Sequence, residues 1–164
     1  MELLDIYTSA GVNTGKTRER GDKTTPLGPD EHIAVGVIFI ENSIGEFLMQ
    51  KTSKEKGGEF SSTGGHITHG ETPLSSIKRE VEEELGINVD DEDIKELGFL
   101  NYDMPLRFMF YLKKDINLAD VHVQVEEVDY VKYMSIEEIN NLIETNQITK
   151  SHGILFKEVL KKIK

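Results

Sequence analysis

Between positions 65 and 87 the chain reads Gly-His-Ile-Thr-His-Gly-Glu, seven further residues, then Arg-Glu-Val-Glu-Glu-Glu-Leu-Gly-Ile. No other stretch restricts the fold as strongly, because a helix here has both of its ends written into the sequence. Thr72 supplies an N-cap, and Pro73 suits the first helical position, where its missing N–H would have had no partner. Gly86 follows the last turn as a left-handed stop. Leu74, Ile77, Val81 and Leu85 recur at steps of three and four, one apolar stripe that must be buried against a core. The preceding glycines, 64, 65 and 70, predict a loop whose backbone can approach a neighbour closely.

On a wheel of about 100° per residue the apolar stripe spans roughly 80°, and Glu80, Glu83 and Glu84 fall together at about 180° to 280°. Glu82 points elsewhere. That grouping is unfavourable in isolation. Glu80 stands three and four residues from Glu83 and Glu84, and each like-charge pair costs roughly 0.2–0.5 kcal/mol. The C-terminal part of a helix also disfavours negative charge. A hard divalent cation reverses both penalties, since carboxylates and a backbone carbonyl are the donors that magnesium or manganese prefers. Glu71 and Arg79 bracket the first two turns and are expected to pair. Three glutamates alone would read as a solvated acidic face. The full pattern at fixed spacing has a chance frequency on the order of one in a million, so it is specific.

This stretch matches the Nudix box residue for residue: glycine, five residues, Glu71, seven residues, Arg79-Glu80, aliphatic Val81, any residue, Glu83-Glu84, any residue, Gly86 and aliphatic Ile87. The chain therefore resembles the Nudix hydrolases. The resemblance implies an α+β Nudix fold, an α/β/α sandwich with a central mixed β-sheet. It also implies magnesium-dependent hydrolysis of a pyrophosphate bond in a nucleoside diphosphate linked to another moiety. Glu80, Glu83 and Glu84 would bind one or more Mg2+ ions, with Mn2+ as the alternative and the Gly64 carbonyl as a further ligand. Either Glu80 or Glu83 would orient or deprotonate the attacking water, with Arg79 and Glu71 in the catalytic set.

A second likeness covers Asp5 to Arg18 and the His32-Ile-Ala that follows, similar to the N-terminal part of isopentenyl-diphosphate-isomerase-like Nudix proteins. In that subgroup histidines and glutamates hold a metal and a cysteine takes part in proton transfer. His32 and His66 match two of the histidine positions, and Glu126 or Glu127 matches a glutamate. An earlier histidine position is occupied by Gly21 or a neighbour, and the chain has no cysteine. An isomerase-like protein and a non-catalytic nucleotide sensor are thus the alternatives to hydrolysis.

The remaining pattern reads as one domain over residues 1–164. Residues 33–40 form a continuous β-branched run, the mark of a strand buried on both faces. A turn at 42–45 leads to residues 46–51, predicting a hairpin. Residues 8–31, rich in glycine, threonine and lysine, read as turns and loop after a short apolar start. Residues 94–101 and 106–113 read as strands turning at Asp103-Met104-Pro105, and 121–133 as further strand. Ser135 and Glu138 predict a capping box before a helix, and a last helix begins near Ser151.

Charge narrows the partners. Against 30 Asp+Glu stand 19 Lys+Arg, a formal charge of −11, which repels nucleic-acid backbones and anionic lipid and makes a general nucleic-acid binder unexpected. Zero cysteines excludes disulfides, thiolate metal sites and a cysteine nucleophile. With no basic-then-apolar N-terminus, and a longest apolar run of eight residues against the roughly 18 of a membrane helix, a cytoplasmic protein is expected. A small-molecule phosphoanhydride substrate would need positive groups to hold it. Arg18 and Arg20, from the one basic run, are candidates, with Lys51 and His66. Glu126 and Glu127 are candidates for a remote carboxylate. Loops 8–31, 52–62 and 101–106 are expected to set specificity, with Tyr7, Phe60, Tyr102 and Phe108 as available aromatics. His122 and His152 have no partner that the sequence reveals, and a homodimer is left open.

Overall fold

A computed structural model of the chain describes residues 2–101 and 105–163. Among the described residues, nine strands and three α-helices run in the order β1 (Leu3–Tyr7), β2 (Asn13–Glu19), β3 (Ala34–Glu41), β4 (Phe47–Thr52), β5 (Phe60–Ser61), β6 (Thr63–His66), α1 (Pro73–Leu85), β7 (Ile94–Asn101), β8 (Leu106–Lys113), β9 (Val128–Met134), α2 (Ile136–Glu144) and α3 (Lys150–Ile163). The central sheet has the order β5-β4-β3-β8-β7, with β6 also paired to β3 and β9 to β4. It is mixed: β3 and β8 run parallel from Ala34↔Leu106 to Glu41↔Lys113, and the other pairs are antiparallel.

Alternation along β3 explains the layers, because successive side chains point to opposite faces. Val37 and Phe39 join Phe47, Met109 and the α2–α3 residues Ile139, Leu155 and Phe156 on one side. Ile38 and Ile40 join Phe110, Leu112 and the stripe Ile77, Val81 and Leu85 of α1 on the other. The strand is buried on both faces, and the fold is the expected α/β/α sandwich. No helix among the described residues is long and apolar enough to cross a membrane.

Three expectations need correction. Residues 8–31 are not all loop: β2 pairs antiparallel with β1, from Leu3↔Glu19 to Tyr7↔Asn13. Its side chains are nearly all exposed, so backbone pairing alone makes the strand, and no apolar pattern announces it. The 33–40 and 46–51 strands do form a turn, but they share only the Glu41↔Phe47 register before diverging. Strand β6 wedges against β3 from Val35↔His66 to Ile38↔Thr63, while β4 turns to β9 and β5. Finally, the 121–133 segment is strand only from Val128. Residues before it are drawn toward α1, where the His122 N–H donates to the Leu85 carbonyl at 2.8 Å. The expected turn at 103–105 lies largely outside the described residues, as does Tyr102.

Candidate active site

The glutamate helix is placed by its caps and its apolar face. The Thr72 hydroxyl accepts from the Ser75 N–H, Ser75 reciprocates to the Thr72 N–H, and Gly86 ends the helix with φ 69°. With the stripe in the core, Glu80 and Glu84 face the β6 wedge and Glu82 is exposed. Two glycines make that approach possible. A Cβ on Gly64 would lie 2.3 Å from the Gly36 carbonyl oxygen, and one on Gly65 would lie 2.3 Å from Glu80 Oε1.

Arg79 gathers the carboxylates. Its Nε and Nη2 donate to the two oxygens of Glu71 at 2.6 and 2.9 Å, a bidentate pair. Nη1 donates to Glu80 Oε1 and to Glu83 Oε2, both at 2.9 Å. Nη2 also reaches the His66 carbonyl at 3.3 Å. Glu71 accepts in addition from the Thr68 N–H at 3.0 Å and its hydroxyl at 2.6 Å. Burial alone would raise the Glu71 pKa, but Arg79 and Thr68 outweigh it and hold the carboxyl at about 2. The expected Glu71–Arg79 pair is therefore present, and it also sets where Glu80 and Glu83 point.

Glu84 is set deepest. Its Oε1 accepts from the Gln50 amide at 2.9 Å, and the same amide donates to the Thr63 hydroxyl at 2.7 Å. The Gly64 N–H and the side chain of Glu80 complete its surroundings. Burial, reinforced by Glu80, pushes Glu84 up to about 9, and burial raises Glu80 as well. Two adjoining carboxylates with little water cannot both stay ionised, so the pair retains a proton near neutral pH. A divalent cation relieves that conflict. Among the described residues no three acidic or histidine side chains meet at one point; Glu83 is held by Arg79 and Glu84 by Gln50. The donor set still fits a hard cation: two buried carboxylates side by side, a third one turn away, and the Gly64 backbone next to them.

A cavity of about 320 Å3 opens beside Glu84 and Gly64. It separates the other candidates. Arg20 lines it, ion-paired to Glu2 at 3.0 Å, and so does Glu127. Glu126 lines a different cavity with Ser53 and Lys54. Arg18 is occupied in its own turn, donating to the Asp22 and Thr25 carbonyls at 2.6 and 2.9 Å. Lys51 donates to the Gly58 carbonyl and lies 5.4 Å from the Phe60 ring centroid. His66 shares a smaller cavity with Arg18 and Arg20, and burial together with the Arg20 charge lowers its pKa. His32 instead faces Ser9 at 3.1 Å. Tyr7 packs on Phe108, and Phe60 on Tyr130. Gln50 went unnoticed in the sequence, although a lone amide after Phe47-Leu48-Met49 signals a buried polar group with a partner to find.

The NUDIX domain family matches residues 30–154. An uncharacterized Nudix hydrolase of Listeria monocytogenes is 33% identical over 146 residues, covering 87% of this chain and 85% of that protein. Nudix hydrolase 3 of Arabidopsis thaliana is 31% identical over 159 residues, where 87% of this chain matches 20% of that much longer protein. Among solved structures, a Deinococcus radiodurans protein shares the fold with a TM-score of 0.77 at 18% identity, over 95% of this chain and 98% of that one. With the family matched across most of its length and a relative at a third identity along nearly the whole of it, the chain belongs to the Nudix hydrolases, enzymes acting on phosphoanhydride bonds.

Proposed function

We propose that this Nudix hydrolase, read as one domain over residues 1–164, cleaves the pyrophosphate bond of a nucleoside diphosphate linked to another moiety. We further propose that the reaction depends on Mg2+, with Mn2+ as the substitute. The observation that carries the reading is the buried Glu80–Glu84 pair, whose Glu84 lines the cavity that Arg20 also lines. Glu80, Glu83, Glu84 and the Gly64 carbonyl would hold the cation. When bound, it supplies positive charge that offsets the charge of the phosphates and of the leaving group.

The chain's own groups supply orientation and proton transfer. Glu83 is the most exposed of the carboxylates on Arg79, with 48% of its side chain accessible against 13% for Glu80. Glu83 or Glu80 accepts the proton of the attacking water. The water oxygen bonds to one phosphorus as the bridging P–O bond breaks, leaving two phosphate monoesters. Arg79 fixes both carboxylates, and Glu71 fixes Arg79. Arg20 meets the substrate phosphates, and Glu127 is the remote carboxylate within reach of the same space. Isomerase-like chemistry has no cysteine to move its proton. The likeness of the N-terminal segment to that subgroup still places isopentenyl diphosphate among the compounds worth testing.

The test is phosphate release, with and without magnesium, from nucleoside di- and triphosphates, ADP-ribose, NADH, nucleotide sugars, dinucleoside polyphosphates and isopentenyl diphosphate. Wild type should show magnesium-dependent cleavage. Glu83→Gln should lower kcat by about 10²-fold or more with an unchanged Tm. Near-normal turnover in that variant would overturn the assignment. Stabilisation by a nucleotide without any cleavage would indicate a sensor instead.

A further inference from the structure

Part of the wall of the cavity beside Glu84 is formed by groups that the carboxylate network does not use. There the Ser62 backbone N–H donates to His152 Nδ1 at 2.9 Å, joining the first turn of α3 to the strand that leads into Gly64. A ring nitrogen that accepts from a backbone amide carries no proton, so the imidazole is neutral and its single proton sits on Nε2. Burial, with the Arg107 charge adding to it, pushes the His152 pKa down to about 4, in keeping with a neutral ring. The Ser62 hydroxyl is buried, and it has no hydrogen-bond partner among the described residues. A buried hydroxyl left in that state is unusual and calls for a partner from outside the chain, a water or a ligand. Arg20 and Lys56 bring positive charge to the same cavity, and no phenylalanine or tyrosine ring among its described lining residues offers a base a stacking surface. Glu84 and Glu127 also line it.

We infer that His152 Nε2–H and the Ser62 hydroxyl donate to a phosphoryl oxygen of the substrate, and that this wall selects for a phosphoryl group over a nucleobase. The inference rests on the pyrophosphatase reading for the identity of the reaction but not for the binding itself. A competing role makes His152 only a pin that holds Ser62, and through it Gly64, in place. The two roles use different ring nitrogens, so two conservative variants separate them. His152→Asn sets an amide oxygen where Nδ1 stands, keeping the bond from Ser62 but losing the distal donor. His152→Gln sets an amide N–H where Nε2 stands and gives up the near acceptor.

Binding of magnesium imidodiphosphate, which has phosphoryl groups and no base, is measured by calorimetry alongside Tm and KM. A donor role predicts that His152→Asn weakens binding and raises KM about tenfold or more while keeping its Tm. His152→Gln should then bind within a few-fold of wild type with a lower Tm, and Ser62→Ala should bind more weakly. The reverse pattern, with Asn binding normally and Gln failing, overturns the inference in favour of the pin. So does a wild type that cleaves pyrophosphates but does not bind imidodiphosphate, or a loss in His152→Asn that falls on adenosine binding instead. Imidodiphosphate binding that depends on His152, in a protein that cleaves nothing on the substrate panel, would sustain the inference while removing the proposed reaction.

Discussion

Gly64 and Gly65 are neighbours in the sequence, yet a methyl group on each meets a different kind of obstacle. At Gly65 the Cβ would strike the Glu80 carboxylate, the movable end of a side chain. Gly65→Ala should therefore keep a near-normal Tm while displacing Glu80, and kcat should fall by about 10²-fold, as for loss of a positioned catalytic group. At Gly64 the Cβ would strike the Gly36 carbonyl, with Val37 Cα at 3.2 Å. Neither backbone atom can step aside, so Gly64→Ala should lower stability by about 1–3 kcal/mol or more, read from a urea midpoint. Glu71 adds a pH signature. Its folded pKa of about 2 lies below the ordinary 4.5, and its side chain is only 18% exposed. The gap corresponds to stability on the order of 3 kcal/mol, present above the unfolded value and lost as pH falls through the folded one. Glu71→Gln should thus be less stable than wild type at pH 7, with the difference shrinking as denaturation is repeated from pH 5 toward pH 3.

Among the elements, the β1–β2 hairpin does more than extend the chain ahead of the sheet. Leu4 bridges to Thr68, and the His69 N–H donates to the Leu3 carbonyl at 2.8 Å. Asp5, 3% exposed, bonds His69 Nδ1 at 2.7 Å, the Gly70 N–H at 3.3 Å and the Asn13 amide at 3.1 Å. These contacts outweigh burial and lower the pKa of Asp5, so it is ionised when the loop is held. The hairpin thereby braces the loop whose Thr68 orients Glu71, and Glu71 in turn orients Arg79. Asp5→Ala should cost about 1–3 kcal/mol, speed amide exchange at Gly70 and reduce kcat without touching a substrate group. Little of this was legible beforehand. The exposed polar strand Asn13–Glu19 has no apolar alternation, and its partner is fixed by backbone hydrogen bonds, which any sequence can make.

For the whole molecule, an excess of eleven negative charges and a buried acidic pair set up a stability that the proposed cation would raise. Glu84, with a folded pKa of about 9, contributes in the opposite sense to Glu71. Its stability is full below its unfolded value and is lost as pH rises toward the folded one, because the pair must ionise. A Mg2+ ion held at the proposed site would displace that proton, so its stabilisation should grow with pH. Thermal melts at pH 6 and pH 8 should show Mg2+ raising Tm more at pH 8, with KCl of equal ionic strength giving no such rise. Chelation should reverse the rise, and Glu84→Gln should abolish its pH dependence. A magnesium effect identical at both pH values would sink this account.

What the sequence determined by itself is what depends on near neighbours along the chain. The limits of α1, its buried stripe, the shared flank of three glutamates and the strand 33–40 all follow from capping and from periods of 3.6 and 2, while the family and its sandwich fold were implied by the resemblance of residues 65–87 to the Nudix box. Tertiary structure alone decided the contacts between distant residues. It wedged β6 beside β3, brought Gln50 to Glu84 across 34 residues and Ser62 to His152 across 90. It also put Glu127 rather than Glu126, and Arg20 rather than Lys51, at the cavity beside the glutamates. Periodicity tells which face a side chain takes, whereas which groups share a cavity depends on how whole elements pack, and no local pattern carries that.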